Sequence, residues 1–178
     1  MVPDTAVRIR AMLRSLRETI IPALNPADPL ALEQAYALTR HLEVLAMQHD
    51  KLYHFELAEL RHYFGMTCEL KSKAAGGQAT ADAISDTSQT LERTRPLTAH
   101  IPPAQQESVE IVRSLKIAAN ALVAAAYADG TAEFRREAER LVHLWSAKQI
   151  ERERVWAQAT GFDLFAAEMP SLESILKS

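Results

Sequence analysis

The chain has little of several residue types on which common kinds of function depend. Of its 178 residues only Cys68 is a cysteine, which excludes an intrachain disulfide and a zinc site built on several cysteines. Five glycines leave little material for phosphate-cradling loops, and no Gly-x-Gly-x-x-Gly, P-loop or Gly-x-Ser-x-Gly motif is present. We therefore do not predict a nucleotide-binding loop, and the sequence as a whole favours a non-catalytic protein.

An excess of positive charge and a long hydrophobic run are also absent. The 20 Lys and Arg residues face 23 Asp and Glu residues, a net charge of −3, which gives no overall attraction to nucleic acid or to anionic membranes. The longest strongly apolar stretch, residues 117–128, is shorter than the about 20 residues that span a bilayer. Charged residues near the start, among them Asp4 and Arg8, replace the apolar core of a secretion signal. We predict no nucleic-acid or membrane partner and a cytoplasmic location.

Helical spacing of apolar residues is what the chain has in abundance. Apolar residues make up 48% of the sequence and recur at intervals of three and four residues nearly everywhere. This pattern predicts an all-α protein, a single domain over residues 1–178 folded as an up-down bundle of four to five helices. The predicted helices cover residues 4–24, 30–73, 104–128 and 131–160, with a weak additional helix within 80–95.

Three segments depart from a simple bundle. The second predicted helix, residues 30–73, would be about 60 Å long, so that it protrudes or lines a partner subunit. Residues 74–106 contain two adjacent glycines, three prolines and few large apolar residues, which predicts a flexible or weakly helical connection. Residues 162–178 carry short apolar clusters around Pro170 and are interpreted as a docking tail.

Polar residues interrupt the apolar stripes of three predicted helices. A charge in a bundle core costs several kcal/mol unless it is paired. One interpretation is therefore an ion pair between helices, joining Glu56 to Lys116, Lys148 or Arg152. The other is a polar pocket between the second, fourth and fifth predicted helices, whose excess of cations suits an anionic ligand. The candidate ligand-binding residues are His49, Tyr53, Glu56, Lys116, Asn120, Lys148 and Arg152.

Metal and catalytic sites are not predicted. A di-iron bundle needs two Glu-x-x-His motifs, and the sequence has one, Glu59 to His62, in which the helical wheel turns His62 toward solvent. Tyr53 beside His49 and Glu56 could support acid–base chemistry in principle. We assign no catalytic residue, no metal ligand and no cofactor.

Two stretches carry a resemblance to uncharacterised bacterial all-helical proteins. They are Ile9-Arg10-Ala11-Met12-Leu13 with the following Ile20-Ile21-Pro22-Ala23-Leu24, and Ile117-Ala118-Ala119-Asn120-Ala121-Leu122. Some proteins of this kind are encoded beside phosphotransferase-like or acyl-CoA dehydrogenase-like genes. The resemblance covers less than a fifth of the chain and implies a bacterial accessory protein linked to acyl-CoA metabolism. It transfers no functional residue.

Two functions follow from these observations. The first is a non-catalytic helical protein that acts by association with itself or with a protein partner, because the long second helix and the small-residue fourth helix need apolar surfaces to cover them. The second is a protein that binds a small anionic molecule, related to acyl-CoA, or an enzyme of undetermined reaction, with its pocket between the second, fourth and fifth helices.

Overall fold

The computed structural model of the chain describes residues 4–99, 105–161, 163 and 165–177, and within these it is helical without a strand. The all-α class is therefore confirmed for the described residues. The helices are α1 (Thr5–Ser15), α2 (Ile21–Ala23), α3 (Pro29–Gln48), α4 (Leu52–Lys73), α5 (Gln78–Ala99), α6 (Gln105–Ala128), α7 (Ala132–Trp156) and α8 (Leu172–Lys177). A π-helical turn, Leu16–Ile20, joins α1 to α2 into one segment. Counting α1 and α2 as one, the described residues form seven helices, more than the four to five that were predicted. The bundle arrangement stays a prediction.

The expected long helix over residues 30–73 is wrong. Residues 49–51 form a turn between α3 and α4, in which the Lys51 amide donates to the Gln48 carbonyl three residues back at 2.9 Å. The Lys51 ammonium group also donates to the Met47 carbonyl at 3.4 Å, near the end of α3. The turn contains neither glycine nor proline, and apolar spacing continues through it, so no ordinary sequence signal marks the break.

The segment expected to be a flexible or weakly helical connection contains the 22-residue helix α5. Its N-terminus is capped from a distance, because the carboxylate of Asp129 accepts hydrogen bonds from the amides of Ala79 and Thr80 and from the Thr80 hydroxyl. The backbones of Gly76 and Gly130 approach each other at the same point, and a Cβ on Gly76 would lie 2.8 Å from the Gly130 Cα. This contact fixes the start of α5 to the turn between α6 and α7.

The chain divides into two compact units, Met1–Leu52 with Glu153–Leu172, and Tyr53–Arg152 with Glu173–Ser178. In the first unit α1 packs against α3, and the buried residues include Ile9, Leu13, Leu16, Ala35 and Thr39. Large apolar side chains of α3 remain 45% to 64% exposed; these are Leu30, Tyr36, Leu38 and Leu45. The first unit thus has a small core and a broad apolar surface.

The second unit holds the larger core, which is built by α4, α5, α6 and α7. Its fully buried side chains include Leu70, Leu122, Phe134 and Leu141. The apolar run of α6 is buried on one side only, and Ile117 is 62% exposed.

The expected docking tail is partly described. Residues 162, 164 and 178 lie outside the described part of the chain. Asp163 accepts two hydrogen bonds from the Arg154 guanidinium, at 2.8 and 3.1 Å, and on α8 the side chains of Leu172 and Ile175 are buried. Among the described residues, no helix has both the length and the apolar character that crossing a membrane requires.

Candidate functional site

Two cavities in the second unit meet at one buried side chain, His62 of α4. The first, which we call the basic pocket, has a volume of about 370 Å³ and lies among residues of α4, α7 and α8. It is lined by Ala58, Arg61, His62, Trp145, Lys148, Glu151, Arg152, Ile175 and Leu176. Its size falls within the range typical of small-molecule sites.

Cationic side chains outnumber carboxylates around the basic pocket. Arg61, Lys148 and Arg152 line it, together with one carboxylate, that of Glu151. In the part of the chain that the structure describes, neither Arg61 nor Lys148 forms an ion pair with a carboxylate. Instead, the Lys148 ammonium group lies 4.7 Å from the centre of the Trp145 ring. The pocket therefore has a local positive charge that the net charge of the whole chain conceals.

Arg152 is a buried cation whose guanidinium is held in place on two sides. The side chain is only 8% exposed. One guanidinium nitrogen donates to the Gln149 side-chain oxygen at 2.7 Å, and another lies 3.4 Å from Nδ1 of His62. Because a guanidinium can only donate, His62 accepts at Nδ1, which places the proton of the neutral ring on Nε2. Arg152 is thus oriented before any ligand arrives.

The imidazole of His62 is kept neutral by its surroundings. Burial lowers its pKa to about 4, and the positive charges of Arg152, Lys148 and Lys116 contribute in the same direction. The ring packs edge-on against Tyr63 and Trp145, with ring centres 5.1 and 4.8 Å apart. The prediction that His62 faces solvent is wrong, because α4 is buried on more than one side. Ala58 and Leu60, two residues apart and therefore on opposite faces of the helix, are both buried, and a single apolar stripe cannot describe such a helix.

Trp145 provides an apolar wall of the basic pocket in a fixed position. Its indole N–H donates to the Glu69 carboxylate at 2.8 Å. Its ring also lies against the backbone of Gly65, where an added Cβ would come within 2.8 Å of the indole. Gly65 is therefore a point of close approach between α4 and α7.

The second cavity, which we call the polar groove, has a volume of about 470 Å³ and lies among α4, α6 and α7. It is lined by His62, Tyr63, Met66, Lys116, Ala119, Asn120, Val123, Val142, Ser146, Gln149 and Ile150. The described part of this lining contains a single charged side chain, Lys116. The groove is therefore much less cationic than the basic pocket.

Lys116 is already paired within the fold. Its ammonium group lies 2.9 Å from a Glu59 carboxylate oxygen and 4.5 Å from the centre of the Tyr63 ring. Burial alone would lower the pKa of Lys116, but the hydrogen bond and the charge of Glu59 raise it above its ordinary value. Lys116 is thus a charged side chain whose charge is largely compensated.

The seven candidate ligand-binding residues do not form one pocket. Lys148 and Arg152 line the basic pocket, while Lys116 and Asn120 line the polar groove. His49 lies in the first unit, at the end of α3.

The other two candidates are on α4. Tyr53 is 38% exposed and packs edge-on against His54, and Glu56 is half-buried. Of the three cations expected to meet Glu56, Lys116 pairs with Glu59, one helical turn further along α4.

Sequence reasoning missed Arg61, His62 and Gln149 as site residues. Arg61 and His62 fell outside the apolar stripe of the supposed long helix. Gln149 carried a usable signal, because it stands three residues before Arg152, a spacing at which helical side chains meet.

Metal-binding groups do not converge in the described residues, where no cluster of three or more His, Cys, Asp or Glu side chains could hold an ion. The two residues of the single Glu-x-x-His motif have partners within the protein. Glu59 accepts a hydrogen bond from Lys116, and His62 contacts Arg152.

Comparisons of the chain with protein-family models, with curated proteins and with solved structures find no match. The resemblance to bacterial helical proteins thus has neither support nor contradiction.

Proposed function

We propose that the chain is a non-catalytic protein that binds a small anionic molecule, a carboxylate or a phosphate, in the basic pocket. The observation that carries this proposal is the set of three cations, Arg61, Lys148 and Arg152, around one cavity with a single carboxylate, Glu151. A surplus of cationic over anionic side chains around a concave site attracts anions and favours their binding.

The three cations offer complementary contacts to an anion. The guanidinium groups of Arg61 and Arg152 have the planar donor geometry that matches carboxylate and phosphate oxygens, and Lys148 adds a mobile point charge. Since Arg152 is buried and held by Gln149 and His62, it loses little conformational entropy on binding. The ring of Trp145, with Ala58 and the α8 side chains, gives the organic part of the ligand an apolar wall.

The test is isothermal titration calorimetry with benzoate, inorganic phosphate and an acyl-CoA. The double variant Arg61→Gln/Lys148→Gln removes two exposed cations, and we expect at least about tenfold weaker binding of the anion that the wild type prefers. The double variant Arg113→Gln/Arg136→Gln is the matched control, because both arginines are exposed, line neither cavity and together carry the same two charges.

Binding should also weaken as salt concentration rises, because part of the attraction is screened. No binding of any of the three anions, or an equal loss in the control variant, would contradict the proposal.

A second candidate function is self-association through the first unit. The observation that favours it is the set of exposed apolar side chains on α3, of which Leu30, Leu38 and Leu45 share one face, beside a small core. Exposed apolar patches of this kind are typical of protein–protein contact surfaces. A second copy of the chain would cover this surface, and this function does not compete with a ligand in the basic pocket.

A further inference from the structure

We propose that the polar groove is a second binding site, which takes an uncharged molecule with an apolar body and an amide-like hydrogen-bonding group. The groove is distinct from the basic pocket in its lining, and the two share only His62. Its volume of about 470 Å³ is sufficient for a compact organic molecule.

The charge in the groove excludes an anion as the preferred ligand. Lys116 is paired with Glu59 at 2.9 Å and lies over the Tyr63 ring, so that an anion would have to compete with an existing carboxylate. At neutral pH His62 adds no charge. A neutral ligand meets no such competition and does not bring an unpaired charge into a partly buried site.

Hydrogen-bonding groups face the groove from two walls. Asn120 of α6 and Ser146 of α7 both line it and are exposed. Neither side chain has a hydrogen-bond partner in the described part of the chain. The Asn120 carboxamide has donors and an acceptor, and the Ser146 hydroxyl can act as either. An amide matches this combination, because it also presents donors beside an acceptor.

Apolar side chains cover the rest of the groove. Met66, Val123 and Val142 are half-buried, and Ile150 is 55% exposed although it lines the cavity. A ligand body lying against Ile150 would remove that apolar surface from water, which favours binding. Polar groups at a few points on an apolar lining are the usual composition of a small-molecule site.

The test uses benzamide and benzoate, which have nearly the same shape and differ in charge. The titration is followed by proton–nitrogen NMR correlation spectra. We expect benzamide to shift the Asn120 side-chain amide signals and the Ser146 backbone signal, with a dissociation constant in the millimolar range. Benzoate should shift the indole N–H of Trp145 more than the Asn120 amide signals.

Two variants locate the benzamide site. Ser146→Phe fills the groove and should abolish benzamide binding, whereas Ala147→Phe, at the next exposed position of α7 and outside both cavities, should preserve it. Asn120→Leu keeps the side-chain size and removes the hydrogen bonds, and should weaken benzamide about tenfold.

Neither phenylalanine substitution removes a cation, so both variants should bind benzoate as the wild type does. The proposal is overturned if benzamide shifts no groove signal, if Ser146→Phe binds benzamide as well as the wild type, or if benzoate occupies the groove as readily as benzamide. None of these results bears on anion binding in the basic pocket.

Discussion

Among single residues, His62 is the one whose environment departs most from what its sequence position predicts. It is nearly fully buried, it contacts Arg152, and it separates a cationic cavity from a nearly neutral one. A neutral imidazole can accept from the guanidinium at Nδ1, whereas a protonated one would face a cation at 3.4 Å. The arrangement is therefore stable only while the ring stays unprotonated.

The pH dependence of stability follows from this environment. The pKa of His62 is lowered to about 4 in the folded chain, so between the ordinary histidine value and about 4 the unfolded chain binds a proton that the folded chain does not. The free energy of unfolding should therefore fall as the pH falls through this window. We expect a contribution of about 2 to 3 kcal/mol, measured by urea unfolding at about pH 7 and about pH 4.

A pair of variants isolates this contribution from that of the carboxylates, which also titrate in acid. In His62→Gln the free energy of unfolding should lose the part of its pH dependence that comes from His62. His143→Gln, at an exposed position of α7, should keep the pH dependence of the wild type. An identical pH dependence in His62→Gln and the wild type would show that His62 is not held neutral.

Some of the residues that line the two cavities were predicted from the sequence, and others were not. Lys148 with Arg152, and Lys116 with Asn120, were recognised as polar residues that interrupt apolar stripes, and each pair lines one cavity. His49 could not be placed correctly, because its position depended on a helix that breaks beside it. His62 was missed because a helical wheel assumes one buried face, and α4 has more than one.

At the scale of elements, the distant cap on α5 explains why a segment with few large apolar residues is a complete helix. Asp129 satisfies the first backbone amides of α5 from the turn after α6. The buried face of α5 repeats threonine at every seventh position, at Thr80, Thr87 and Thr94. A search for large apolar residues at helical intervals overlooks such a face. A cap supplied by a residue fifty positions away is likewise not visible in the sequence alone.

Removing this cap should destabilise the protein through α5. Hydrogen bonds from the Thr80 side chain and from the amides of Ala79, Thr80 and Gly77 lower the pKa of Asp129. The stability that its carboxylate gives to the folded chain is therefore lost as the pH falls through that lowered pKa. We expect Asp129→Ala to lower Tm by several degrees in thermal unfolding followed by circular dichroism. Asp86→Ala, an exposed carboxylate within α5, should change Tm little. Equal shifts would contradict a role for Asp129 as the cap.

At the scale of the whole molecule, the helical class was predictable, whereas the number of helices was not. Apolar periodicity identifies helices well, but the turn at residues 49–51 has no glycine or proline to mark it. The two units differ in how they bury apolar surface, since the second has an extensive core and the first leaves much of α3 exposed.

Self-association through the first unit is expected from the apolar side chains that α3 leaves exposed. If a second copy covers the α3 surface, light scattering should show a mass that rises with protein concentration, and Leu38→Glu should shift the chain toward the monomer. Gln89→Glu introduces the same charge at an exposed, polar position of α5 in the second unit and should leave the association unchanged. A concentration-independent monomer would contradict this second function.

Anion binding in the basic pocket, as proposed, depends on Arg61, Lys148 and Arg152. It can be measured by a benzoate titration of nitrogen-labelled protein that follows the indole N–H of Trp145, which lies in the pocket wall. We predict a saturable shift of this signal that is lost in Arg61→Gln/Lys148→Gln and retained in Arg113→Gln/Arg136→Gln. An indole signal that does not move as benzoate is added, while the chain remains folded, would contradict anion binding in this pocket.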